Sequence, residues 1–285
     1  MSMKFSPVAS AQFARHGGNF SVHRLDLARL GDVIHPVMGF DHFVMGGPTF
    51  APHPHAGFSA VTYVFEDSRG GMRNRDSLGH DLEVQPGELV WTQAGRGLIH
   101  DEYPANPGVP VHGLQLFVNL SAKNKHLDPE VFRLASASIP TETDAQGNRT
   151  RVMAGTYAGK ASPMEAAEPF DFFDVQVRGD WVWSVPAGRS VLVYVLDGEG
   201  KVVGGGNEHA LKANEAIGLR VSGVVEPPLR ILTDRDAHVL VLSGVDPQEP
   251  IAVYGPFIMN TQTELVQTYE RYATGQMGRL THAAA

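Results

Sequence analysis

Two short tripeptides, His53-Pro54-His55 and His100-Asp101-Glu102, carry the residue types from which a metal site can be built. In an extended strand residues i and i+2 point to one face, roughly 6.6 Å apart at ~3.3 Å per residue. Two imidazoles so spaced can converge on one ion, and Pro54 stiffens the pair and lowers the entropy lost on ordering it. His100 and Glu102 repeat the geometry, with Asp101 pointing away. Neighbouring strands can therefore supply three neutral nitrogens and one carboxylate. That donor set suits a divalent first-row metal: iron, manganese, cobalt, nickel or zinc. Related two-histidine, one-carboxylate sites with open positions serve non-haem Fe(II) oxygen chemistry, whereas zinc tends toward a closed tetrahedron. Glu102 is the one ligand in this set that is not a histidine, and so the candidate catalytic base.

The elements that must position these residues read as strands. Glycine (31) and proline (19) punctuate the chain, and the runs between them are short. Residues 60–65 are β-branched and aromatic, residues 87–92 follow a Pro-Gly turn, and residues 111–120 alternate. In that last run Leu114, Leu116 and Val118 share one face, and Gln115, Phe117 and Asn119 the other. Gln115 or His112 could line a cavity, but alternation forbids both. Trp91 reads as core. The charged stretch from Arg69 to Asp76 reads as a solvated hairpin, with Arg73 and Arg75 outside. The rhythm breaks between 121 and 148 and returns at 175–177, 191–196, 215–221, 229–232 and 239–242. Regular short strands with turn signals predict an all-β chain of two antiparallel β-barrel domains of the jelly-roll kind. The expected division is 1–135, holding the metal motifs, and 136–285, without metal. Near the end, Thr261-x-x-Glu264 has capping-box spacing, and Leu265, Tyr269 and Tyr272 follow at helical intervals. With Gly275 as the stop, this predicts a short C-terminal helix over 262–274, its tyrosines packed on a barrel wall.

Bulk composition bounds the rest. The 285 residues suffice for two domains with proper cores. Nothing approaches the ~20 apolar residues of a membrane span, and the N-terminus lacks the apolar core of a secretory signal. Cysteine is absent, which excludes disulfides and thiolate ligands and fits a cytoplasmic chain. The net charge is −8 with no Lys/Arg cluster, so direct nucleic-acid binding is not expected. The 13 histidines are the notable excess. Outside the two motifs, His209 and His238 stand alone, and no second metal site is expected.

The segments APHPHAGFSAVTYVFE, NRDSLGH, PGELVWTQAGRGLIHDE and VHGLQLFVNL closely resemble the pirin family of the cupin superfamily. Gly39-Phe40-Asp41-His42-Phe43 upstream and Val253-Tyr254-Gly255-Pro256-Phe257 with Met259-Asn260-Thr261 downstream extend the likeness over nearly the whole chain. The resemblance implies a bicupin with one iron in the N-terminal barrel, on positions matching His53, His55, His100 and Glu102. It also implies quercetin 2,3-dioxygenase-type activity on a small aromatic, flavonol-like substrate with dioxygen. The alternative is a non-enzymatic, redox-sensing regulatory protein that acts through a protein partner. Four positions depart from the family pattern: Ala56 for an arginine, Ser59 for a glutamate, Asn74 for a histidine, and Asp101 for a small residue. None removes a ligand, though all alter the surroundings of the metal.

Overall fold

In the computed structural model residues 2–281 are described, and strands dominate, with one α-helix among them. The strands sort into two compact units, neither of which is a continuous stretch of chain. One gathers residues 13–23, 38–136 and 247–281; the other gathers 2–12, 24–37 and 137–246. Both termini thus depart from a simple division at 135/136. The first strand, Ser2–Phe5, pairs with Glu215–Ser222, and the C-terminal helix belongs with the residues of the metal motifs. Such pairings are fixed by registers more than 200 residues apart, which local patterning does not encode.

The unit bearing the motifs is built on two main sheets. A seven-stranded sheet runs in the order Glu130–Leu134, Leu89–Gln93, Phe58–Val64, Val111–Asn119, Val37–Met45, Phe20–Arg24, Gln12–His16. A four-stranded sheet runs His53–His55, Leu98–Pro104, Met72–Asp76, Asp81–Val84. Their facing side chains share a core: Phe20, Val22, Phe43, Val64, Val90 and Val111 from the first sheet pack with Met72 and Val84 from the second. The strand Phe58–Val64 is buried along its whole length, which explains its largely apolar and β-branched composition. Trp91 is buried, as its sequence context predicts.

The other unit follows a similar plan. An eight-stranded sheet that includes Arg149–Ala154, Phe170–Val177, Arg189–Asp197, Glu215–Ser222 and Ala237–Val245 faces a four-stranded sheet, Asp180–Ser184, Pro228–Leu232, Glu199–Gly204, Asn207–Lys212. One cluster joins them, with Phe173, Val193 and Val241 on one side and Trp181, Val202 and Ile231 on the other. Each sheet is an open path with two end strands. The closed barrels expected from the strand rhythm are therefore not what the hydrogen bonding forms; closure depends on long-range pairing.

The helix spans Gln262–Ala273 behind a full Thr261/Glu264 capping box, and Gly275 has φ +77° just beyond it. Its buried residues are Leu265 and Thr268. Tyr269 and Tyr272 are instead exposed, at 52% and 38%. The helix lies on the hairpin Ala252–Tyr254/Phe257–Met259, and the cluster of Leu265, Phe257 and Met259 takes up the narrow stripe that faces it.

Candidate metal centre

The strand His53–His55 is three residues long and ends at a tight turn into Phe58–Val64. Gly57 makes that turn at φ +83°, and a Cβ there would collide with the Ile258 carbonyl oxygen. Only glycine meets both conditions. Three interactions clamp the turn. Gly57 N–H donates to the Gly95 carbonyl at 2.7 Å, Ile258 N–H donates to the Ala56 carbonyl at 3.0 Å, and the buried Lys125 Nζ donates to the carbonyls of Gly57 (2.7 Å) and Ile258 (2.9 Å). Lys125 Nζ also donates to Asn119 Oδ1 at 2.5 Å. A wholly buried ammonium is tolerated here because three oxygens receive its three protons.

The strand Leu98–Pro104 pairs antiparallel with His53–His55, so that His100 lies directly opposite His53. The three imidazoles meet edge to face. Ring centroids are 4.8 Å apart for His53 and His55, 4.7 Å for His53 and His100, and 4.7 Å for His55 and His100. One ligand nitrogen from each lies within 4.8 Å of the others, and the Nε2 atoms of His53 and His100 are 3.2 Å apart. The Ala51 carbonyl holds His53 Nδ1 at 2.9 Å. It fixes the proton there and leaves Nε2, which faces His100, as the lone-pair nitrogen, the tautomer that metal-ligating histidines adopt. Burial pushes the pKa of His55 down to about 3, and it lowers those of His100 and His53 as well. The rings are thus neutral near pH 7 and available as ligands. His55 Nδ1 and His100 Nδ1 are buried with no hydrogen-bond partner among the described residues. Three neutral, mutually facing imidazoles fit a divalent cation.

Glu102 lies on the same face, two residues beyond His100, and is 7% exposed. Its carboxylate is not among the atoms that cluster with the histidines. Its Oε1 accepts a hydrogen bond from Thr62 Oγ1 at 2.6 Å, across from the seven-stranded sheet. Burial raises its pKa to about 7, against the lowering effect of the Thr62 hydrogen bond. Gln115 Oε1 is 3.1 Å from the same hydroxyl, and the Phe117 ring is 5.6 Å from that of His55. Gln115 and Phe117 therefore face the site. His112, of opposite parity, instead pairs with His42 (2.7 Å) and Asp67 (2.9 Å).

Asp101 points away from the histidines, as alternation requires. Arg75 grips it through two hydrogen bonds, 3.1 and 2.5 Å long, and Arg73 pairs with Asp81. The segment expected as a solvated hairpin is in fact an inner strand, Met72–Asp76, in which Met72, Asn74 and Asp76 are buried. Alternating apolar-or-small and charged residues there were legible as one buried face, but the charges masked it. Asn74, legible in the sequence only as a departure from the family pattern, is buried on that face, and Thr62 carries no residue-type signal of a metal centre. In the other unit, His238 Nε2 is 2.5 Å from Asp174 Oδ1 and His209 stacks on Phe5.

Residues 13–118 match the Pirin family, and residues 173–278 match the Pirin C-terminal cupin domain. A pirin-like protein of Solanum lycopersicum is 32% identical over 251 residues, which cover 85% of this chain and 82% of the relative. A Pseudomonas aeruginosa protein provisionally named a quercetin 2,3-dioxygenase is 36% identical over 243 residues, covering 82% and 81%. The crystal structure of a quercetin 2,3-dioxygenase from Acinetobacter baumannii superposes with a TM-score of 0.84 at 27% identity, over 99% of this chain and 100% of that one. Both units are accordingly cupin-like domains.

Proposed function

We propose, from the premise that this chain belongs to the pirin family, that it is an iron-dependent oxidoreductase of the quercetin 2,3-dioxygenase type. The observation that carries this reading is the meeting of three neutral imidazoles beside one buried carboxylate. His53, His55 and His100 would hold the metal, with Glu102 as fourth ligand. A bound Fe(II) supplies Lewis-acid and redox chemistry toward a flavonol-like substrate and dioxygen.

The chain's own residues do the rest. Thr62 holds one carboxylate oxygen of Glu102, so the carboxylate's orientation is set before substrate arrives. The second oxygen is the one that can take the proton from the substrate hydroxyl, which a base must reach directly. Phe117 and Gln115 flank the site with one apolar and one amide surface, a pairing that suits an aromatic ring bearing hydroxyl and carbonyl groups. The similarity in fold and sequence to proteins named as quercetin 2,3-dioxygenases supports the substrate class.

The test is to load metal-free protein with Fe(II) and follow quercetin loss together with carbon monoxide release. Turnover that tracks iron occupancy supports the reading; full occupancy without turnover removes it.

A second reading, a metal-dependent regulatory protein, draws on the exposed Tyr254, Val266, Tyr269 and Tyr272 around the C-terminal helix. Exposed apolar and aromatic groups in one region suit a protein partner. Pull-downs with ferrous and ferric protein discriminate, and identical partners in both states count against it.

A further inference from the structure

Asn74 is a buried amide on the inner strand Met72–Asp76. It is 0% exposed, and neither its Nδ2 nor its Oδ1 has a hydrogen-bond partner among the described residues. Buried amides are nearly always satisfied, and an apolar residue of the same size would avoid the penalty altogether. Its strand neighbours show the contrast. Met72 is apolar and joins the core. Asp76 accepts from two backbone N–H groups, those of Leu78 and His80, and meets His80 Nδ1 at 2.9 Å. Both polar atoms are closed off from bulk solvent.

The strand register supplies a partner. Asn74 lies directly opposite Glu102, and facing residues of an antiparallel pair bring their Cβ atoms to about 5 Å on one face. One Glu102 carboxylate oxygen accepts from Thr62, on the opposite sheet. An ionised carboxylate only accepts hydrogen bonds, and the amide Nδ2 has two to give.

We propose that Asn74 is a positioning residue for Glu102, its Nδ2–H₂ donating to the carboxylate when that side chain serves as a metal ligand. The inference rests on the reading of Glu102 as fourth ligand. It gives Glu102 two fixed donors, Thr62 from one sheet and Asn74 from the other. Donors of this kind orient ligating carboxylates, and losing one typically weakens metal binding by about 10–100-fold.

The experiment is Asn74→Leu, measured in two ways: the melting temperature of the metal-free protein, and Fe(II) affinity by anaerobic competition with a chelator. The expected signs are opposite. The metal-free melting temperature stays level or rises, while the metal Kd weakens about tenfold or more. The same change in a Glu102→Ala background alters the Kd by at most about twofold, because the partner is gone. Three results overturn the proposal: an unchanged Kd, an equal loss in both backgrounds, or a fall in the metal-free melting temperature. Wild-type protein that binds iron but leaves quercetin untouched defeats the dioxygenase reading and leaves this one standing. Wild-type protein that binds no iron defeats both.

Discussion

The Thr62 hydroxyl donates to Glu102 Oε1 at 2.6 Å, and it reaches from the seven-stranded sheet to a strand of the four-stranded sheet. The bond is buried, and it is the contact that opposes the upward shift of the Glu102 pKa. Thr62→Val keeps the shape and removes the donor. The metal-free variant should lose about 1–3 kcal/mol, and lose more at pH 8 than at pH 6, since only the ionised carboxylate needs the hydrogen bond. Urea unfolding at the two pH values checks this; an equal loss at both would show that the hydroxyl does not serve the carboxylate.

Glu102→Gln tests the base. The amide matches the carboxylate in size and can still meet Thr62, so the fold should persist. Turnover of quercetin should fall by at least about 100-fold, the lower end of what a positioned acid or base contributes. Circular dichroism confirms the fold, and iron content is measured alongside the rate. An unchanged rate at full occupancy dismisses Glu102 as the base.

The metal-free protein should lose stability as pH falls below 6.5. The folded-state pKa values of His53, His55 and His100 are all depressed, that of His55 to about 3. Below 6.5 the unfolded chain therefore binds protons that the folded one refuses. Glu102 works the other way: with a pKa of about 7, raised from 4.5, it favours the folded state as pH falls through that window. Three groups against one leave a net uptake of up to two protons on unfolding, or about 1–3 kcal/mol over the first pH unit below 6.5. Melting curves in a chelator from pH 7.5 to 5.5 test the sign, and a flat or rising melting temperature toward acid contradicts it. Metal should flatten the dependence near neutrality, because bound imidazoles are held neutral.

Lys125→Met leaves three buried oxygens, on Asn119, Gly57 and Ile258, without their donor. The expected cost is about 3 kcal/mol or more, together with weaker metal binding through a loosened turn after His55. Chemical denaturation and metal titration measure the two effects separately. Near-wild-type stability would mean that the ammonium is not what fastens Gly57 to Ile258.

What the sequence disclosed and what it hid divide along one physical line. The i, i+2 pairs at 53–55 and 100–102, the parity of Gln115 against His112, and the capped helix all follow from local periodicity, and all are present. The roles of Thr62 and Asn74 depend on which strand lies beside which, and on a register that neither strand contains. The exchanged terminal segments are likewise properties of pairings about two hundred residues apart. Tyr269 and Tyr272 have helical spacing, yet exposure depends on the width of the surface beneath, which spacing does not report.

The division of the chain into interleaved units also sets an order of events during synthesis. The turn after His55 is fastened by Ile258 and backed by Phe257 and Met259, residues made only after the whole of 137–246. A nascent chain can lay down both ligand pairs early, but it cannot close the turn that holds the first of them until the second unit's strands have already emerged. Any metal held by the three histidines is thereby taken up late in biogenesis, and a chain truncated before residue 256 should carry His53, His55 and His100 without the turn that holds the first two in place.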